Sequence, residues 1–106
     1  NSYENITDGI QAAVGITTAL TLLGSSGTDT ATTLADGTVI GQIKIIVHDT
    51  DGGNSILAVT DALGFADLDF VDDGDTAMLM WTGTTGWALL SQITVAADIG
   101  LVDLAN

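Results

Sequence analysis

The side chains able to do chemistry are few. His48 is the only histidine, Lys44 the only cation, and Glu4 joins thirteen Asp to make fourteen carboxylates; there is no cysteine. His48 precedes Asp49, but neighbours in a strand point to opposite faces, so the two are badly placed for a Ser-His-Asp relay. No serine sits in a nucleophile-elbow pattern. The spacing therefore predicts a partly exposed histidine at a strand end. Thiolate catalysis and Zn-thiolate sites are excluded outright. Carboxylate pairs of glycosidase type can be drawn at almost any spacing among so many Asp, and spacing alone then selects none. No glycine-rich loop opens a helix in the manner of a phosphate cradle.

The densest cluster is Asp67, Asp69, Asp72, Asp73 and Asp75. Carboxylates alternating along a strand and gathering at a turn are the hard-oxygen ligands that Ca²⁺ takes. The same pattern also suits a solvated acidic edge whose Asp residues accept turn hydrogen bonds and discourage strand addition. Lys44 lies between Gln42 and Ile46, either paired with a carboxylate, within the chain or across a subunit boundary, or as an exposed strand lysine. Asn5-Ile6-Thr7 matches a glycosylation sequon.

These residues need strands to position them. Thirteen Gly, sixteen Thr and no Pro in 106 residues point to β-branched segments joined by tight turns. In residues 1–15, Ile6, Ile10, Ala13 and Val14 recur near helical spacing, with Thr7 or Asp8 as cap and Gly15 as stop; a short helix and an extended arm are both open. From Ile16 the period becomes two, with Ile16, Thr18, Leu20 and Leu22 on one face. Asp29–Leu34 is a Thr-rich strand. Val39, Ile43, Ile45 and Val47 then share a face, while Ile40, Gln42, Lys44, Ile46 and His48 form a mixed face that reads as meeting something partly wet.

Beyond the Gly52-Gly53 turn, Ser55–Thr60 is a further strand. Ala66, Leu68 and Phe70 then alternate with Asp67 and Asp69. Ala77–Trp81 is apolar on both faces, which predicts one side on the core and the other on a partner. Gly83–Gly86 closes a hairpin whose end Trp81 and Trp87 bracket. The organisation expected is a short N-terminal arm or helix over 1–15, an all-β domain over 16–97 built as an antiparallel sandwich or jelly roll, and an apolar C-terminal tail over 98–106.

The formal net charge of -13 argues against nucleic-acid and anionic-membrane partners. A hydrophobic fraction of 46% nevertheless predicts a folded chain rather than an acidic disordered one. Apolar residues outnumber what one small interior holds, so self-association is expected, with Ile40, Ile46, Met78, Met80, Trp81 and Trp87 as its interface.

The series from Leu34 to Val59 and from Asp72 to Leu90 carries Gly41-Gln42 on a strand, a Gly52-Gly53 turn, a Gly74-Asp75 turn and a final apolar hairpin ending in Gly86-Trp87. In that order and over about two-thirds of the chain, it resembles small β-rich virion proteins of tailed bacteriophages, particularly those of marine bacteria and cyanobacteria. Ala62-Leu63-Gly64-Phe65 departs from the pattern, being more apolar than the turn expected there. The resemblance implies a viral structural protein without enzymatic activity. Its form would be a homotrimeric capsid decoration or cement protein on the outer capsid surface, bound to the major capsid protein and needing no cofactor; Ca²⁺ enters only through the calcium alternative for the acidic cluster given above. Ile6, Ile10, Leu101 and Leu104 would attach it to the shell. The alternative is a trimerising or receptor- and glycan-binding module of a head or tail fibre, with Trp81, Trp87 or Tyr3 as a sugar platform.

Overall fold

The computed structural model describes residues 2–8, 12–27 and 30–95. Within them the chain is all-β, with nine strands and no helix: β1 (Tyr3–Thr7), β2 (Ala12–Val14), β3 (Leu20–Ser25), β4 (Thr30–Leu34), β5 (Ile43–Asp51), β6 (Ser55–Val59), β7 (Leu68–Phe70), β8 (Thr76–Trp81) and β9 (Trp87–Ile93). They form a five-stranded sheet ordered β1-β3-β5-β8-β9 and a four-stranded sheet ordered β2-β4-β6-β7.

The connectivity is a winding. The first six strands alternate between the two sheets, and each of the first four pairs in parallel with the strand two places on. Three coils are thereby stacked, with Leu20 beside Ile45 and Thr32 beside Leu57. Only the end of the stack is antiparallel, where β7 pairs with β6 and the β8–β9 hairpin pairs with β5. The expected antiparallel pattern therefore holds for these three pairs alone. A turn-rich corner between two short strands can either fold back as a hairpin or cross to a second sheet, and local residue types are the same in both cases.

Stacking puts like positions in register. Val14, Leu34 and Val59 form one inward row, and Thr32, Leu57 and Leu68 another. Val14, Leu34, Leu57 and Leu68 of these rows join Leu23, Ile46, Phe70, Ala77, Leu79, Trp81 and Trp87 in one hydrophobic core to which both sheets contribute, with Val59 packed at its margin. The N-terminal segment enters this architecture as strands rather than a helix. β1 lies parallel to β3, pairing Tyr3 with Leu20 and Ile6 with Leu23, because docking on a sheet stabilises a short segment that would be marginal as an isolated helix.

On β3 the buried residues are Thr21, Leu23, Gly24 and Ser25, leaving Leu20 and Leu22 half-buried on the outer side. On β5 the mixed face is the core face: Lys44, Ile46 and His48 are buried, whereas Ile43, Ile45 and Val47 look outward. The inward polar groups are tolerated because each finds partners inside.

Candidate functional site

Lys44 is 1% exposed. Its Nζ donates to Thr18 O at 2.9 Å and Thr18 Oγ1 at 2.8 Å and lies 3.8 Å from Glu4 Oε2. Glu4 Oε2 in turn accepts from Gly15 N and from Thr21 Oγ1, each at 2.7 Å. Burial pushes the Glu4 carboxyl up, but the bonds from Thr21 and Gly15 and the nearby ammonium together hold it below its ordinary value. Burial pulls Lys44 below the usual lysine range, against the pull of Glu4. Lys44 is thus neither an exposed lysine nor a bridge to another subunit. It ties β5 to the corner before β3 and to β1.

His48 is fully buried, correcting the expected exposed strand end. Nδ1 lies 3.1 Å from Asp72 O and Nε2 lies 3.3 Å from Ser55 Oγ, which is also 3.1 Å from Thr30 Oγ1. A serine-histidine pair therefore exists that spacing did not reveal, since Ser55 comes from the opposite sheet. Ser55 is wholly buried too, and the histidine nitrogen facing away from it meets a backbone carbonyl rather than a carboxylate. This joins the sheets; a substrate has no access to the hydroxyl.

The acidic cluster divides. Asp75 is 2% exposed: its Oδ2 accepts from Val71 N at 2.9 Å and Asp72 N at 3.1 Å, and its Oδ1 accepts from Val95 N at 2.9 Å. Burial would raise this carboxyl, but those three amides and the neighbouring imidazole hold it below the usual value. Asp67, Asp69 and Asp73 are exposed and Asp72 is half-buried. Among the described residues no three acidic, histidine or cysteine side chains converge on one point.

Trp81 and Trp87 face each other across the β8–β9 hairpin edge to face, with centroids 5.4 Å apart, and are 8% and 0% exposed. Trp87 Nε1 donates to Ala35 O at 2.9 Å. Both indoles are core, as is Ile46, so these three leave the expected interface; the inward register that pairs Ile46 with Ala77 and Trp81 with Trp87 is the reason. Ile6 packs half-buried on the core rather than standing free for attachment. Ile10, Leu101, Leu104 and the tail over 98–106 lie outside the described residues.

Ile40, 74% exposed, and the half-buried Met78 and Met80 remain. The two methionines belong to a larger surface, the outer face of the five-stranded sheet. Register aligns three rows there: Ala88, Met80 and Ile43; then Ser91, Met78, Ile45, Leu20 and Tyr3; then Ile93, Thr76, Val47, Leu22 and Asn5. None of these thirteen side chains is charged in a chain of fourteen carboxylates. A hollow of about 420 Å³ lies in this face, lined by Ser2, Tyr3, Ala19, Leu20 and Ile45. The sequence placed an apolar outer side on β8 alone; its continuation across β3 and β5 depends on which face of those strands turns inward.

No family model matches the sequence, and no curated protein matches it. Among the described residues no helix is long and apolar enough to cross a membrane.

Proposed function

We propose that the chain is a non-catalytic structural protein of a tailed-phage virion, a homotrimer on the outer capsid surface that clamps neighbouring copies of the major capsid protein. One observation carries the reading. The groups that chemistry would require, Lys44, Glu4, His48 and Ser55, are engaged by the chain itself, while the centre of the outer face of the five-stranded sheet, around Leu20, Leu22, Ile45, Met78 and Met80, is apolar and only half-buried, as suits a protein contact. The net charge of -13 suits a position away from packaged DNA. The trimer and the capsid partner come from the resemblance of the turn series from Gly41-Gln42 to Gly86-Trp87.

The test is gradient co-sedimentation of the purified chain with emptied heads of marine tailed phages. Migration with the heads that persists at high salt supports decoration; protein left at the top of the gradient with every head tried overturns it. Light scattering of the same preparation in Ca²⁺ and in EDTA separates cohesion through apolar faces from cohesion through the exposed aspartates.

The coil winding favours a second reading, a trimerising module of a head or tail fibre. β1 and β2 stand at the same end of the stack with one edge each unpaired among the described residues, so a further coil of a shaft can pair there. A sugar platform on Trp81 and Trp87 is not part of this reading, because both rings are buried.

A further inference from the structure

We infer that the buried pair of His48 and Ser55 is a self-cleaving site, at which the Ser55 hydroxyl breaks the peptide bond that precedes it, between Asn54 and Ser55. The pair is closed to an outside substrate, but a bond of the chain itself needs no entry path. The reaction runs once per chain, and it does not depend on the virion reading.

Each group that such a step needs is in place. Ser55 Oγ accepts from the Thr30 hydroxyl at 3.1 Å, which leaves its own hydrogen for His48 Nε2, 3.3 Å away. The Asp72 carbonyl, 3.1 Å from Nδ1, holds the tautomer with hydrogen on Nδ1, so Nε2 presents a lone pair and serves as base. The Asn54 carbonyl oxygen already accepts from the Thr30 N–H at 2.9 Å, the range of a donor that stabilises an oxyanion. Asp75, whose buried carboxylate the neighbouring imidazole stabilises, in turn favours the imidazolium that forms. Sequence position supplies the approach, because a serine Oγ and the carbonyl carbon before it close a small ring with no loss of translational freedom.

Oγ attacks the Asn54 carbonyl carbon as its proton passes to Nε2, and the Thr30 N–H holds the oxyanion. The C–N bond then breaks, His48 returns the proton to the leaving Ser55 nitrogen, and an ester joins Asn54 to Oγ. Water from solvent, admitted at the exposed Asn54, hydrolyses the ester to an Asn54 carboxylate and a free Ser55 hydroxyl. The cut severs the corner by which the third coil crosses from β5 to β6. Because β6 stays paired with β4 and β7, the two pieces remain in one fold.

Mass spectrometry of the full chain, incubated folded at neutral pH and then denatured, tests this. The parent yields residues 1–54 ending in a carboxylate and residues 55–106 beginning with an amine, and the pieces separate only on denaturation. Hydroxylamine, which intercepts the ester, speeds the cut and leaves a hydroxamate on Asn54. The same chain held in urea stays whole, since only the fold brings His48 and the Thr30 N–H to the bond. Ser55→Ala abolishes the cut and His48→Gln slows it at least about a hundredfold, with circular dichroism reporting the folding of both. A parent that stays whole with and without hydroxylamine overturns the inference. So does a cut at equal rate in urea, in folded Ser55→Ala or in folded His48→Gln. A 1–54 piece ending in a succinimide also overturns it, because that end marks attack by the Asn54 side chain instead. If a variant does not fold, the hydroxamate and the urea control decide the matter on the parent alone.

Discussion

Lys44 Nζ and Glu4 Oε2 lie 3.8 Å apart, joining the only cation of the chain to its only glutamate. The lysine is 1% exposed and the glutamate side chain 26%, so the cation carries most of the desolvation cost. The pair fastens the first coil to the third, for β1 supplies Glu4 and β5 supplies Lys44.

Breaking it from the acidic side strands the buried ammonium. Glu4→Ala is expected to destabilise the fold by about 2–4 kcal/mol, read from urea midpoints at constant slope. Glu4→Gln combined with Lys44→Met, which removes both charges and keeps the volume, should cost less than the two single changes summed. Additive costs would mean that the pair is not coupled.

Acid should unfold the chain through Glu4, Asp75 and Asp8. All three carboxyls are held below their ordinary values, Asp8 by bonds from the Ser26 hydroxyl and amide. A depressed folded value contributes stability that is complete above the unfolded pKa of about 4 and is lost as pH falls through the folded value. Asp36 has the opposite sign, because its hydrogen bond with Asp61 raises its carboxyl. Urea midpoints should therefore be level from neutral pH down to about 5 and fall below about 4. Asp75→Asn, which sets an amide NH₂ among three backbone donors, should cost about 2–3 kcal/mol at pH 7 and flatten that acid slope.

Gly86 has φ +103° in the turn between the tryptophans, and a Cβ there would fall on the Asp61 carbonyl oxygen. Gly86→Ala combines left-handed strain with a backbone clash and should lose about 3 kcal/mol or more by thermal or urea unfolding. Gly41→Ala, at φ +92° but with open space around it, should lose less.

The buried indoles give an optical check. Emission of the native chain should be blue-shifted and protected from acrylamide, and both properties should disappear together on unfolding. Quenching of the native chain like that of free indole would contradict the burial of Trp81 and Trp87.

Turn chemistry and period-two alternation made most strands legible. Ser55–Val59, the Leu68–Phe70 alternation with Asp69 outward, and the hairpin that sets Trp81 opposite Trp87 all follow from local pattern. The five-residue N-terminal strand was not legible, because Ile6, Ile10 and Val14 fit helical spacing and only pairing with β3 decides otherwise.

Sequence alone thus determined an acidic, cysteine-free β chain whose simplest catalytic arrangements are missing. The tertiary structure decided which way each strand faces and which sheet it joins. A strand's two faces differ by one residue of register, and the sequence favoured Ile43, Ile45 and Val47 over Lys44 and His48 for a dry environment. The winding reversed that choice. Parallel stacking brought Glu4 and Thr18 to Lys44, and Ser55 and Asp72 O to His48, so polar groups distant along the chain satisfy one another in the core. The apolar positions of the same strands were left aligned on the outside, where a partner can cover them.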